Sequence, residues 1–291
     1  MLKKLWKNGK EGWLFISIAL VLFLFFSLYP IIDSLILSFY SSKGLVYTFT
    51  GLGNIRRLLS DQMFLIALKN TLIYLIVQVP IMLILAIFLA TLLNSARLKF
   101  KGVFRTCIFL PCVTSLVAYS VLFKMIFSEK GLINNVLINL SLIENGIPWL
   151  TDPFWAKVTI ILALLWRWTG YNMIFFLAAL QNIPKDMYEA AEIDGVNKFK
   201  QFFYITVPQL KPILLFTTIM STIGTLQLFD EPMNLTMGGP ANSTMTVSQY
   251  IYNVSFVYAP NFGYAATISY SVVLMIALLS YVQFKFAGED A

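Results

Sequence analysis

Three clusters of polar and aromatic side chains fall inside apolar stretches, where an unpaired polar group is costly. The first, "LLWRWTGYNMIFF", carries Trp166, Arg167, Trp168, Tyr171 and Asn172. The second, "TLQLFDEP", supplies Gln227, Asp230 and Glu231, and the third offers Ser115, Tyr119 and Ser120. Trp168 and Tyr171 lie three positions apart, so they share a helix face, with Asn172 beside them. Aromatic faces with an amide and carboxylates suit a ring that has apolar C–H faces and a fringe of hydroxyls. The plainer reading of each Trp or Tyr is an interfacial anchor or packing residue. Arg167 has three arrangements open to it: a pair with Asp230, a pair with Glu231, or a side chain that snorkels outward.

Other chemistries find little support. The chain has no His, and its two cysteines, Cys107 and Cys112, sit in an apolar run as packing residues rather than as a disulfide framework or zinc site. No G-x-x-x-x-G-K-[ST] occurs, and "GGP" at Gly238 lacks the lysine and the following helix, so no phosphate-cradling loop of that kind is present. An embedded enzyme needs a catalytic set at depth, which is missing. A self-contained, ion-coupled transporter needs a deep acid, and only Asp230 and Glu231 come near one.

The elements that would position these groups are membrane helices. Apolar residues make up 58% of the 291, and charged residues only 12%, about half the charged share of soluble domains. The apolar segments are apolar all round rather than alternating, which favours a helical bundle over a barrel. The reading is an all-α integral membrane protein of one domain with six spans, at about 13–36, 71–93, 106–127, 156–180, 212–231 and 264–286. The first run is too long for a signal peptide and is followed by no cleavage site. The net charge of +7 reads as topology signal in short loops, with no basic face for nucleic acid.

Orientation follows Lys and Arg. With the N-terminus inside, the inner segments hold Lys3, Lys4, Lys7, Lys10, Arg97, Lys99, Lys101, Arg105, Lys185, Lys198, Lys200, Lys211 and Lys285. The outer segments hold fewer: Lys43, Arg56, Arg57, Lys69, Lys130 and Lys157. Both termini are therefore expected in the cytoplasm, although the first outer loop blurs the rule.

One polar island, 182–211, interrupts the spans. Asn182-Ile183-Pro184 reads as a helix start, with Asp186 and Glu189 near the positive end of the dipole. Gly195 reads as a helix stop at positive φ, and Asn197 as the cap of a second short helix. Phe199, Phe202 and Phe203 give that helix an apolar side, and Pro208 and Pro212 close it. Such a module fits two roles, an amphipathic helix on the inner leaflet or a stiff element docked in a protein groove.

"EAAEIDGVNKFKQFFYITVPQLKP" resembles the EAA loop of ATP-binding-cassette importer permeases. Glu189, Ala190, Ala191, Gly195, Ile205 and Pro208 match that pattern, and Val207 stands where Leu is usual. "FLAALQNIPKDMYEAAEIDG", "QLFDEPMNLTMGGPANSTMTVSQYIY", "TFTGLGNIRRLLSDQMFLIALKNT" and "FRTCIFLPCVTSLV" extend the likeness, over nearly the whole chain, to the maltose-type carbohydrate branch. The resemblance implies a non-catalytic permease subunit for a sugar or oligosaccharide, multi-pass in a bacterial cell membrane. It implies a coupling helix in which Glu189, Ala190, Ala191, Asp194 and Gly195 engage a separate ATPase. It implies as partners a second homologous permease, two ATPases carrying the ATP and Mg²⁺, and an extracytoplasmic solute-binding protein; this chain itself binds no cofactor or metal. The substrate pathway is expected at Tyr171, Trp168, Asn172, Gln227, Asp230, Tyr119 and Ser115. A permease of the same kind for glycerol phosphate or a polyol is the near alternative.

Overall fold

The computed structural model describes Trp13 and residues 16–43, 46–95 and 98–288; Lys3, Lys4, Lys7, Lys10 and Arg97 lie outside them. In chain order come α1 (Ile16–Leu37), a hairpin of β1 (Tyr40–Lys43) and β2 (Val46–Phe49), and α2 (Gly53–Ser60). Then follow α3 (Gln62–Asn94), α4 (Lys101–Val113), α5 (Leu116–Ile126), α6 (Leu132–Asn139) and α7 (Pro153–Gln181). The remainder is α8 (Lys185–Ile193), α9 (Lys198–Gln209), α10 (Lys211–Leu226), α11 (Asp230–Leu235), α12 (Val247–Tyr252) and α13 (Phe262–Gly288).

Four of these, α1, α3, α7 and α13, are each long and apolar enough to cross a membrane. Two bent pairs, α4 with α5 and α9 with α10, bring the number among the described residues up to 6 if each pair is one span. Helix α3 runs well past the expected 71–93: its 33 residues span about 50 Å at the α-helical rise, beyond the ~30 Å of a hydrocarbon core. Hydropathy marks only the part in lipid.

The segment expected as the third span, 106–127, is two helices bent by 99°. Thr114 and Ser115 adopt extended backbone angles that turn the chain. Pro111 sits in the last turn of α4, and the Thr114 hydroxyl donates to its otherwise orphaned carbonyl at 2.7 Å. The fifth expected segment, 212–231, also ends early. Helix α10 stops at Leu226, residues 227–229 break it, and Asp230 and Glu231 open α11, where acids suit the helix dipole. Pro232 follows in that first turn, where its missing N–H costs nothing.

The chain groups into two compact units, residues 1–61 with 251–271 and residues 62–250 with 272–291. In the first, Asn54 donates to the carbonyls of Ser38 (2.8 Å) and Tyr40 (2.7 Å). The Asn261 side chain accepts from the backbone N–H groups of Ser42 and Tyr264, tying the hairpin to the start of α13.

In the second unit, α7 is central, with α3, α4 and α10 packed along it. Val79, Met82, Leu83, Ala86 and Ala90 of α3 meet Met173, Phe176, Leu177 and Leu180 of α7 in a closed apolar layer. Small residues allow the backbones to approach, as in membrane bundles generally: a Cβ on Gly170 would lie 1.9 Å from the Ile108 carbonyl oxygen. Asn134 organises the loop before α7, donating to Glu129 and Ile147 carbonyls and accepting from Ile147 N–H and Trp149 Nε1.

Helix α10 carries a hydroxyl row, and several members are satisfied within the helix. Thr217 donates to Ile213, Thr218 to Leu214 and Thr222 to Thr218. Thr225 instead reaches the Gln78 side chain at 3.4 Å, and Thr222 accepts from Gln283 at 2.7 Å.

Candidate functional site

Helices α3, α7 and α10 and the break before α11 enclose a cavity of about 320 Å³. Of the residues expected on the pathway, it gathers Trp168, Tyr171, Asn172, Gln227 and Asp230, together with Glu231. Trp168 and Tyr171 meet edge to face, ring centroids 5.8 Å apart, and Tyr171 keeps 37% of its surface exposed. Asn172 is buried and already engaged, donating to the Trp168 carbonyl at 3.1 Å and toward the Met82 sulfur at 3.4 Å. Gln227 and Asp230 are exposed at the break. The break matters because it frees backbone and side chains that a continuous helix would have turned away.

Tyr119 and Ser115 stand elsewhere. Ser115 lies at the α4–α5 turn, and neither residue lines the cavity. Tyr119 is buried behind it, stacked on Trp166 at 5.8 Å and edge-on to Phe123. Cys107 is exposed rather than packed, and Cys112 is half-buried.

Arg167 takes one of its three open arrangements. Its Nη1 lies 3.4 Å from Glu231 Oε1, with the two side chains 15% and 3% exposed. The guanidinium carbon also stands 5.5 Å from the Tyr119 ring centre and 5.3 Å from that of Trp168. A desolvated pair of this kind holds mainly because removing either partner strands the other. It fixes the first turn of α11 against α7, and so fixes one wall of the cavity.

Gln78, Met82, Met220 and Thr225 also line the cavity and were not expected there. A signal existed for the first: "QVP" puts an amide and a helix-disturbing proline deep in an apolar run, an arrangement that membrane helices keep where something satisfies it.

The polar island folds as two short helices with a turn between them. Asn182 does not start α8; it closes α7, and Pro184 occupies the capping position of α8 without a side-chain cap. A proline at that place already removes an orphan N–H, leaving less for an Asn to cap. The turn is a complete glycine C-cap: Gly195 has φ +74°, its N–H donates to Glu192 O, and Val196 N–H donates to Ala191 O. Asn197 caps α9 through Lys200 N–H, and Tyr188 bonds Thr206 at 2.9 Å to clamp the two helices. Ala191 faces inward, whereas Glu189, Ala190, Asp194 and Gly195 are exposed and Ile193 is 87% exposed. Phe199 and Phe203 are exposed as well.

A bundle of apolar helices around a small cavity with aromatic and polar walls, and with a rigid polar elbow between two spans, defines a membrane transport component. The chain belongs to the family described as binding-protein-dependent transport system inner membrane component, whose model matches residues 82–286. It is 58% identical over 96% of its length to the lactose transport system permease protein of Rhizobium radiobacter, covering 94% of that protein. It is 36% identical over 95% of its length to the arabinooligosaccharides transport system permease protein of Bacillus subtilis, covering 88% of it. Its fold matches a bacterial ABC transporter involved in import of the acidic polysaccharide alginate, with TM-score 0.85, 23% identity and coverage of 98% and 99% of the two chains. A bacterial alginate ABC transporter in complex with alginate pentasaccharide-bound periplasmic protein matches with TM-score 0.79 and 25% identity, over 98% and 96%.

Proposed function

We propose that this chain is the permease subunit of an ATP-binding-cassette importer for a sugar or oligosaccharide, and that the cavity beside Trp168 and Tyr171 is part of its translocation pathway. One observation carries the reading: two rings at right angles share a cavity with an exposed amide, Gln227, and an exposed carboxylate, Asp230, among apolar helices, where such groups are costly without a use. The lactose and arabinooligosaccharide permeases named above support the substrate class. None of the cavity's lining residues is Lys or Arg, which argues against a phosphate ester.

In this reading the whole chain acts as one transmembrane domain of six spans with both termini cytoplasmic, each bent helix pair being one crossing. It forms half of the pathway with a second, related permease, and receives solute from an extracytoplasmic binding protein. It holds no cofactor; ATP and Mg²⁺ belong to two partner ATPases. The elbow of α8 and α9 transmits their motion. Glu189, Ala190, Asp194 and the protruding Ile193 form the docking face, while Ala191 and the Gly195 turn keep it stiff. Closure of the ATPase dimer moves this elbow, and α7 and α10 on either side carry the movement to the cavity.

Affinity-tagged chain expressed with its neighbouring subunits should copurify an ATPase, and the assembled transporter should take up a labelled sugar in an ATP-dependent way. Uptake that persists without any ATPase partner overturns the reading in favour of a self-contained transporter.

A further inference from the structure

The charges around the cavity are unbalanced. Two of its lining residues, Asp230 and Glu231, are carboxylic acids, and none is Lys or Arg. Glu231 is answered from behind by Arg167, which does not itself line the cavity and whose guanidinium is committed to Glu231 and flanked by the Tyr119 and Trp168 rings. Asp230 has no such answer. Its carbonyl accepts from Asn234, but among the described residues no cation or donor is shown at its exposed carboxylate. The cavity therefore presents one carboxylate with no cation beside it among the described residues.

We propose that Asp230 makes this a site for uncharged sugars that discriminates against acidic ones; the inference rests on the sugar reading above. A carboxylate is an acceptor with no donor of its own. It suits the hydroxyl edge of a neutral sugar, whose O–H groups donate to it in charge-assisted bonds. A uronic acid brings a second carboxylate, which offers no donor and repels the first in a surrounding of low dielectric. Arg167 is essential to this polarity in an indirect way: were it free to face the cavity, it would cancel Asp230 and welcome anions. The fold itself imposes no such preference, since the importer it matches handles acidic alginate. The selectivity lies in these three side chains.

The test uses the complete transporter, assembled with its partner subunits in nanodiscs and without the soluble binding protein, so that only the membrane site is read. Two probes of matched size are lactose and the same disaccharide oxidised to a carboxylate at C6 of its galactose unit. Calorimetric titration should give lactose at least about a tenfold lower Kd, equivalent to about 1.4 kcal/mol. Asp230→Asn should bring the two Kd values within about twofold of each other, whatever happens to lactose affinity itself, and Asp230→Lys should invert the order. In the unaltered protein, added salt should shrink the ratio by screening the exposed charge. Equal Kd values in the unaltered transporter, or a ratio that survives Asp230→Asn, overturn this inference and leave the sugar reading standing. No binding of either probe overturns this inference alone; the sugar reading stands or falls by the ATP-dependent uptake assay.

Discussion

Arg167 and Glu231, 64 residues apart in sequence, meet at 3.4 Å between the middle of one membrane helix and the first turn of a helix that begins where another has been broken. The pair holds the start of α11 against α7 where α10 has stopped at Leu226 and three residues intervene before Asp230. Leaving either charge alone there is expected to cost about 3–5 kcal/mol. Arg167→Leu and Glu231→Leu should each lower the thermal midpoint of the purified complex sharply. The double variant Arg167→Leu/Glu231→Leu should lie closer to the unaltered protein than either single change.

The contact of α4 with α7 is equally specific. Gly170→Ala places a methyl 1.9 Å from the Ile108 carbonyl oxygen, and overpacking of this kind costs about 1–3 kcal/mol. Gly102→Ala, where nothing lies within 4 Å of the added carbon, should shift stability by no more than about 0.5 kcal/mol in the destabilising direction. Thermal unfolding of the two variants, measured side by side, separates close packing from a general sensitivity of α4.

In the elbow, Gly195→Ala forces a side chain into a left-handed conformation at φ +74°, at about 1–2 kcal/mol. Gly195→Pro cannot adopt that φ and loses the N–H given to Glu192. With Glu189→Lys, these changes should leave the chain inserted and ATP hydrolysis running while solute moved per ATP falls. A drop of about fivefold or more corresponds to a lost coupling of about 1 kcal/mol. Parallel hydrolysis and uptake assays on proteoliposomes read it directly.

Tyr171 offers a ring that is a third exposed and braced by Trp168 and Phe175. Tyr171→Ala should raise the apparent KM for transport by about two- to tenfold, the value of an aromatic contact of about 0.5–1.5 kcal/mol, without changing assembly. Tyr171→Phe keeps the ring and should retain most of the affinity; the comparison of the two KM values checks the assignment.

Much of this architecture was legible in the residues because its signals are local. A run of apolar side chains announces a lipid-facing helix, and Asp194-Gly195-Val196-Asn197 announces a stop, a turn and a new start in four letters. What escaped depended on partners distant in sequence. Nothing near Thr114 in the sequence shows how far the chain turns there, because the 99° bend comes from two extended residues inside an otherwise unbroken apolar run. The end of α10 was partly readable: an acid pair followed by proline at Asp230-Glu231-Pro232 is a helix-start pattern, hidden by its place at the tail of an apolar segment. Five of the seven pathway residues share one cavity because three lie within five positions on α7 and the other two lie at the break between α10 and α11. Tyr119, on α5, and Ser115, at the turn before it, depend on a bend whose angle was not foreseeable, and do not.

The hydroxyl row of α10 has a mechanical consequence. A helix whose threonines are bonded to its own carbonyls takes its polar satisfaction with it wherever it goes. It can roll or slide past its neighbours with no donor stranded in oil, so movement there is cheap. The two ties that do reach outward, at Gln78 and Gln283, are then the places where a shift of this helix must make or break a bond, and where its resting positions are set.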